Sequence, residues 1–179
     1  MQDSPVTVRR VGRDEWQLVR ALRLEATADA DAAIAFLETH ADAAARAEGF
    51  WKERTLNAAD SDTAAQFVAE ADGEAIGSVT VLIRATGQAD HLGRIADDRR
   101  AFVVGVWVRP GHRGSGAIDA LLAAAAEFPT AQGLRELMLD VHRDNQRAQG
   151  AYRRAGFEPT GETLTSAIGP EVVMARPLP

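Results

Sequence analysis

The sequence predicts an α/β domain on a mixed sheet. Strand and helix signals alternate along the 179 residues. One clear βαβ unit lies in the middle, made of a strand from Ala101, a glycine-rich turn, a helix ending near Pro129 and a second strand. No linker and no internal repeat of about 20 to 50 residues interrupts this order. A chain of this length fits one domain, residues 1–179.

The first elements are a strand and a helix. Val6 to Val11 alternates apolar and polar residues, as a half-buried strand does, and Gly12 ends it. Asp14 is placed to cap a helix. The apolar positions of that helix recur at helical spacing and are Trp16, Val19, Leu22 and Ala26.

The alanine- and aspartate-rich segment from Ala26 to Ala47 has two interpretations. It is a second helix with a thin apolar face, or it is a mobile lid, because compositional bias weakens the helical pattern. The apolar face would consist of Ala33, Ile34, Leu37 and Ala44, and further helical turns would carry Phe50, Trp51 and Leu56.

Strand signals follow. The runs Gln66 to Ala71 and Ala75 to Ile83 flank Asp72-Gly73, which predicts a tight β-hairpin. Arg84 to Arg100 is expected to be a loop long enough to suggest a function. Ala101 to Val108 is almost wholly apolar, which favours a central strand buried on both faces.

The second half continues with alternating helices and strands. A helix presents Ile118, Leu121, Leu122 and Ala125 on one face and stops at Pro129; the strand Leu134 to Val141 follows it. Asp144 or Asn145 caps a last helix, which Gly156 ends. Its in-register positions are Ala148, Ala151, Tyr152 and Ala155, and two short strands, Phe157 to Gly161 and Val172 to Ala175, complete the chain.

Composition excludes several classes of function. The chain has a formal charge of −6 and no cysteine, which excludes thiolate metal sites and a cysteine nucleophile. Its four histidines lack metal-ligand spacing, so we expect no metal. Neither a secretion signal nor a long apolar span is evident, so a cytoplasmic protein that binds no membrane is expected.

The glycine turn from Val106 to Gly116 is the strongest local signal for a site. A strand-to-helix turn with three glycines suits an anion, because unpaired amides at a helix start face outward. A nucleotide P-loop would need a lysine after a glycine, and a dinucleotide site would not place Asp119 beside the phosphates. A nucleophile elbow needs another spacing around Ser115. A purely structural turn remains an alternative.

Two motifs together resemble the GCN5-related N-acetyltransferase (GNAT) superfamily. They are Val108-Arg-Pro-Gly-His-Arg-Gly-Ser-Gly-Ala-Ile and, after a strand, Asn145-x-x-Ala-x-x-x-Tyr152-x-x-x-Gly156-Phe157. The resemblance is strong over these motifs and loose over the whole chain. It implies a mostly antiparallel central sheet flanked by helices, with a splayed pair of central strands, and acetyl-CoA as co-substrate.

The resemblance also assigns residues. It places the pyrophosphate of acetyl-CoA on the backbone amides of Arg113, Gly114, Ser115, Gly116, Ala117 and Ile118, and the pantetheine arm along Val106 and Val108. Asn145 would hydrogen-bond the pantetheine, and the Tyr152 hydroxyl would protonate the departing thiolate. From the residues alone, Asn145 is equally a helix N-cap and Tyr152 equally a packing residue.

Two positions depart from the family pattern, and the general base stays open. Gly111 stands where Gln or Arg is frequent, and Ile118 stands where a small residue is usual. An amine with a pKa of about 10 must lose a proton before attack. The candidates for accepting it are Asp140, His142, Glu25 and His91, each of which is equally a surface group. An oxyanion donor is expected in the backbone near Val106.

The resulting expectation is an acetyl-CoA-dependent N-acetyltransferase whose acceptor is a small-molecule or peptide primary amine. A CoA-binding module without turnover is the alternative, and a nucleic-acid binder is disfavoured by the acidic balance. Acidic residues before the hairpin would suit a cationic amine, although solvated helix faces look the same; they are Glu25, Asp29, Asp31 and Glu38. The acceptor and the oligomeric state, with a homodimer among the alternatives, are left open.

Overall fold

A computed structural model describes residues 5–179, and the first four residues of the expected domain lie outside them. Seven strands form one sheet in the order β1-β2-β3-β4-β5-β7-β6. Neighbouring strands are antiparallel except β4 and β5, which confirms the mixed, mostly antiparallel sheet. The strands are β1 Thr7–Arg10, β2 Ala64–Ala71, β3 Glu74–Arg84, β4 Arg100–Val108, β5 Glu136–His142, β6 Glu158–Ser166 and β7 Gly169–Pro177.

Helices cover both faces of the sheet. The side chains of Leu121 and Leu122 join the main core on one face, while Val19 and Trp51 form a second core with Val68 of β2 on the other. None of the helices in the described chain has the length and apolar character needed to span a bilayer. The helices are α1 Trp16–Thr27, α2 His40–Ala45, α3 Glu48–Asp60, α4 Ala117–Thr130 and α5 Gln146–Arg154, with 3₁₀ turns at Ala32–Ile34 and Pro110–His112.

The hairpin and the last helix are confirmed, and the predicted cap of α1 is wrong. Asp72 and Gly73 have φ of 53° and 77°, the left-handed pair that a tight hairpin turn uses. Glu15, not Asp14, precedes α1. Its carboxylate accepts a hydrogen bond from the Gly12 amide at 2.6 Å and is also bound by Arg9. The residue that precedes α1 is therefore one position later than predicted.

The helix predicted across the alanine-rich segment is wrong. Thr39 starts a new six-residue helix there, because its hydroxyl accepts a hydrogen bond from the Asp42 amide at 3.1 Å. Phe36, not Leu37, turns inward, and Leu37 remains 43% exposed. Trp51 is fully buried in α3, whereas Leu56 on the same helix is exposed. The buried Phe36 and the Thr39 cap therefore order this segment, and hydrophobic periodicity alone does not report the cap.

Candidate active site

The central strands β4 and β5 of the βαβ unit separate after a short paired stretch. β4 and β5 pair only at Ala101 with Leu137 and at Phe102 with Met138. Beyond those pairs the edge of β4 that faces β5 has no strand neighbour, so the expected splay is present. A cavity of about 510 Å³, named here the cleft, lies at this opening. It is lined by residues 103–108 of β4, by His112–Gly114 and by residues of α5.

A β-bulge shapes β4 at the opening. Ser78 of β3 pairs with Trp107 and Thr80 pairs with Val104, so two residues of β4 stand opposite one residue of β3. The first of the two, Gly105, has φ of +62°. Bulges of this kind bend a strand and redirect its groups, and they are frequent next to active sites. Val106, a predicted contact of the pantetheine arm, is the second bulge residue and lines the cavity.

The glycine turn presents unpaired backbone amides. Gly114 and Gly116 have φ of +86° and +84°, and Gly116 precedes α4 without any side-chain cap. A Cβ atom at Gly111, Gly114 or Gly116 would meet nothing within 4 Å, so the turn is open to solvent. The first internal bond of α4 runs from the Ala120 amide to the Gly116 carbonyl, which leaves the amides of Ala117 and Ile118 free. An anion can approach this surface closely.

Arg113 and Ser115 contribute differently from the other residues of the turn. The Arg113 amide donates to the Pro110 carbonyl, and its guanidinium donates to the Val108 carbonyl at 3.1 Å. The amide and the hydroxyl of Ser115 both donate to the His112 carbonyl. Of the six positions predicted to cradle pyrophosphate, these two thus maintain the shape of the turn. The free amides belong to Gly114, Gly116, Ala117 and Ile118.

Asp29 ties the loop after α1 to this turn. Its carboxylate accepts hydrogen bonds from the Arg113 guanidinium at 2.5 Å and from the Trp107 indole at 3.0 Å. Burial alone would raise the pKa of Asp29, but hydrogen bonds from the Asp31 amide, Trp107 and Arg113 outweigh burial and hold the pKa below its usual value. Asp31 also pairs with Arg147 of α5, so the loop bridges both sides of the cleft.

Asn145 and Tyr152 of α5 both line the cleft. Asn145 caps the helix, because its Oδ1 accepts a hydrogen bond from the Ala148 amide at 3.2 Å. Tyr152 is 8% exposed, and its ring packs edge-on against Phe157 with 6.1 Å between centroids. No side chain or backbone group of the described chain bonds its hydroxyl. Burial raises the pKa of Tyr152 well above its ordinary value, with only a small opposing effect from Arg147, so the hydroxyl stays protonated.

A second cavity, of about 400 Å³, adjoins the cleft at β4 and is named here the acceptor cavity. It is lined by α1, α3, β2, β3 and the loop before β4. Val104, Gly105, Asp140 and Glu171 line both cavities. The cleft and the acceptor cavity therefore meet at the bulge, where a group bound in the cleft would lie next to a molecule in the acceptor cavity.

Of the predicted bases, Asp140 alone lines both cavities. Its carboxylate is held by Arg94 at 3.0 and 2.7 Å and by His91 at 3.1 Å. Burial alone would raise the pKa of Asp140, but the hydrogen bonds from His91 and Arg94 outweigh it and keep the pKa below its usual value. A carboxylate held in this way is a weak proton acceptor.

His142 lines the cleft but not the acceptor cavity, and both His142 and Glu25 are engaged by other groups. The His142 Nδ1 accepts a hydrogen bond from the Asp144 amide, and a Cβ at Gly169 would lie 2.8 Å from its Nε2, so the ring is enclosed. Glu25 lies outside both cavities and pairs with Arg109. No cluster of potential metal ligands occurs among residues 5–179.

Glu171 was not singled out by sequence reasoning. It lies in β7 opposite His142, is 5% exposed and lines both cavities. Its Oε1 is buried without a hydrogen-bond partner. Burying a carboxylate oxygen without a hydrogen-bond partner lowers the stability of the folded protein. Such unpartnered groups are therefore uncommon in structural positions and are found at functional sites. The available signal was a glutamate directly before the apolar run Val172-Val173-Met174 of a buried strand.

Comparison with known proteins places this geometry in a family. A family model described as "Acetyltransferase (GNAT) family" matches residues 34–157. Aminoglycoside N(6')-acetyltransferase type 1 from Stenotrophomonas maltophilia is 35% identical over 132 residues, covering 68% of this chain and 84% of that protein.

Solved structures agree with the sequence match. Nourseothricin acetyltransferase is 31% identical, with a TM-score of 0.54 over 65% of this chain and 66% of that one. AAC(6')-Iy in complex with the bisubstrate analogue CoA-S-monomethyl-acetylneamine has a TM-score of 0.67 and 22% identity over 90% of this chain and 96% of that one, which shows a shared fold. Because the family match extends over more than half of the chain, this protein belongs to the GNAT family of acetyltransferases.

Proposed function

We propose that this protein transfers the acetyl group of acetyl-CoA to a primary amine by direct attack of the amine on the thioester. Family membership supports the reaction class, and the relatives named above are N-acetyltransferases or bind a CoA analogue. The observation that carries the proposal is the meeting of the cleft and the acceptor cavity at the bulge of β4. Two substrates bound in adjoining cavities can react there without a covalent enzyme intermediate.

The cleft provides for acetyl-CoA in separate parts. Four free amides at Gly114, Gly116, Ala117 and Ile118 would bind the pyrophosphate at the positive end of α4. Val106 and Val108 offer backbone groups to the pantetheine arm. Asn145 can serve both of its predicted roles, because its Oδ1 caps α5 while its amide nitrogen is available to donate.

Gly111 and Ile118, which depart from the family pattern, are compatible with a phosphate at these four amides, named here the cradle. Gly111 lies in the exposed 3₁₀ turn before the cradle, and its missing side chain leaves an empty surface. Ile118 is half-buried, packs against the main core and lines the cleft, and its amide has no hydrogen-bond partner within α4. Neither residue therefore blocks the unpaired amides.

Tyr152 is the proposed general acid. Proton delivery to the departing thiolate requires a hydroxyl that is protonated at neutral pH and lies in the cleft, and Tyr152 meets both conditions. The oxyanion of the tetrahedral intermediate needs backbone donors, and the proposed donors are the backbone N–H groups of the bulge at Gly105 and Val106, which line the same cavity as Tyr152.

Glu171 is the proposed general base. It lines the junction and has an unpartnered oxygen, so it can take a proton from the acceptor's ammonium group and leave the neutral amine that attacks. Asp140 lines the same junction but is already bound by Arg94 and His91, which favours a supporting role. The step then balances: Glu171 takes one proton from the ammonium group, the neutral amine bonds to the acetyl carbon and the carbon–sulfur bond breaks. Tyr152 gives its proton to sulfur and regains one from the nitrogen of the new amide, and Glu171 releases its proton to solvent.

A CoA-binding module without turnover is not favoured, since it would have no use for the acceptor cavity. The test is release of free CoA thiol from acetyl-CoA with a panel of polyamines, aminoglycosides, amino acids and peptides. We expect release with at least one class of amine. Acetyl-CoA binding with no thiol release across the panel would support the non-catalytic module and end the proposal.

A further inference from the structure

The acceptor cavity carries an unusual charge distribution. Its lining includes the cationic side chains Arg23, Arg54 and Arg84 and the carboxylates Asp140 and Glu171. A cavity that selected a polycationic acceptor would be expected to show the reverse balance. Which of these charges are already compensated by the protein decides what the cavity can bind.

Two of the charges are compensated internally. Asp140 is bound by Arg94 and His91, as described above. Arg23 is bound by Glu38 at 3.0 Å, and Glu38 is shared with Arg46 at 3.1 Å. Because Glu38 is only 14% exposed and already serves two arginines, it has little capacity to compensate a third.

Arg54 is the third arginine of this group and has no partner. Within residues 5–179 its guanidinium makes no hydrogen bond and no ion pair. It is half-buried in α3 and lines the acceptor cavity. Burial, together with repulsion from Arg23 and Arg46, lowers the pKa of Arg54 against a weaker attraction from Glu38. A cation in this environment is stabilised by any anion that enters the cavity.

Arg84 is the second uncompensated cation. It lies at the end of β3, and its guanidinium donates only to the carbonyl of Ile83, at 3.1 Å. No carboxylate of the described chain lies within ion-pairing distance of it. Arg54 and Arg84 thus offer charged donors to the cavity, and Glu171 offers the only unpartnered carboxylate oxygen recorded in its lining.

The acidic residues expected to attract a cationic amine do not serve this cavity. Each of them is paired with an arginine, and none lines the acceptor cavity. Glu25 binds Arg109, Asp29 binds Arg113, Asp31 binds Arg147, and Glu38 binds Arg23 and Arg46. Their charge stabilises the loops around the cleft and is not available to an acceptor.

We propose that the acceptor is an amine that also carries a carboxylate, of the size of an amino acid, with Arg54 and Arg84 binding the carboxylate and Glu171 receiving the amine. The volume of about 400 Å³ suits a small ligand of this size. Guanidinium groups bind carboxylates through paired, charge-assisted hydrogen bonds. The inference rests on the proposed acetyl transfer, and it separates this protein from relatives named for aminoglycosides.

The test compares amino acids with their carboxamides, which keep the amine and lose the negative charge. The readout is the ratio of kcat/KM for each acid to that for its amide, measured by thiol release from acetyl-CoA. Wild-type protein is expected to favour the acids. Arg54→Gln and Arg84→Gln should each lower the ratio by about 10- to 100-fold, as expected for a lost hydrogen bond to a charged group.

Arg135→Gln is the matched control. Arg135 is exposed and lines neither cavity, so its removal should leave the ratio unchanged. Arg54 has no partner to lose, and Arg54→Gln is therefore expected to fold with an undiminished Tm. If Arg54→Gln were unfolded, the Arg84→Gln ratio would decide the question by itself.

Other outcomes would overturn the inference in distinguishable ways. Amides or aminoglycosides acetylated as well as the acids, with ratios insensitive to both arginine variants, would refute the carboxylate site and leave acetyl transfer standing. Acetyl-CoA binding without thiol release from any amine would refute the proposed function, and the acceptor assignment would fall with it.

Discussion

Replacing Tyr152 by phenylalanine removes one hydroxyl group and leaves the ring in place. The ring is 8% exposed and packs against Phe157, whereas the hydroxyl has no protein partner that could be orphaned. The free energy of unfolding should therefore change by about 1 kcal/mol or less. If the hydroxyl delivers the proton to the thiolate, kcat should fall by about 10²- to 10⁴-fold.

The protonation state of this hydroxyl can be observed directly. Tyr152 is the only tyrosine in the chain, so near-ultraviolet phenolate absorbance reports on it alone. An ordinary tyrosine is half ionised near pH 10, but burial raises the pKa of Tyr152 in the folded state. Phenolate should therefore be absent at about pH 10 while the protein is folded and should emerge on unfolding, because the unfolded state binds fewer protons.

The same pKa shift sets the sign of a stability effect. Below about pH 10 the phenol is neutral in both the folded and the unfolded states, and its contribution to stability is fully present. As the pH rises further, the unfolded state ionises first and the wild-type protein loses stability. The Tyr152→Phe protein lacks this group, so its Tm should fall less steeply on the alkaline side.

The assay combines thiol release with direct titration of acetyl-CoA binding. Tyr152→Phe should bind acetyl-CoA nearly as tightly as wild type, which separates chemistry from binding. Phe157→Leu is the control, because it disturbs the packing of the ring and should cost about 1–3 kcal/mol of stability while keeping the hydroxyl. An unchanged kcat in Tyr152→Phe would refute the role of Tyr152, as would an equal loss of rate in Phe157→Leu.

Three further predictions concern the base, the cradle and the loop after α1. Glu171→Gln should lower kcat/KM by about 10²- to 10⁴-fold and retain acetyl-CoA binding; a wild-type pH–rate profile in this variant would exclude Glu171 as the base. Gly116→Ala should lower the free energy of unfolding by about 1–2 kcal/mol, because Gly116 has a φ of +84°, and should weaken acetyl-CoA binding. Gly111→Ala should change neither the stability, measured by thermal unfolding, nor the affinity, measured by titration with acetyl-CoA. Asp29→Asn should lower the Tm at neutral pH, with the difference from wild type shrinking as the pH falls below about 3.8, since the pKa of Asp29 is lowered in the folded state; an equal difference at both pH values would contradict this.

The sequence predicts best what local signals encode. The Asp72-Gly73 hairpin, the apolar strand β4, the glycine turn and α4 are all specified by neighbouring residues, and the structure confirms them. Pro129 was expected to stop α4 and lies in its last turn, one residue before the end. β6 and β7 extend well beyond the short strands predicted, because β6 is an exposed edge strand with few apolar residues and an irregular register near Gly161.

The site was predictable where a motif lies within one turn or one helix. Gly114, Gly116, Asn145 and Tyr152 belong to such motifs; Gly114, Asn145 and Tyr152 line one cleft, and Gly116 lies in the same turn directly before α4. The family resemblance also supplied the expected splay of two central strands, which no local pattern carries. The role of Arg113 in holding the shape of the turn was not predictable from the sequence. It depends on an ion pair with Asp29, which lies 84 positions away in the chain.

Residues that act through distant partners escaped prediction for the same reason. Glu171 becomes notable only when β7 brings it between the two cavities without a partner for its Oε1. Arg54 resembles any helical surface arginine until α3 packs it beside Arg23 and Arg46. Conversely, Asp140 looked like a base until the loop before β4 placed Arg94 against it. Compensation of charge is a property of the fold and not of the local sequence.

The most direct measurement follows the acetyl group itself. Protein is mixed with acetyl-CoA labelled in the acetyl group, first without and then with an acceptor amine, and the label is traced to protein, CoA and amine. Direct attack at the junction of the two cavities predicts that no label stays on the protein and that label appears on the amine together with free thiol. Label retained covalently on the protein before the amine is added, or an amine that remains unlabelled while acetyl-CoA is bound, would contradict the mechanism.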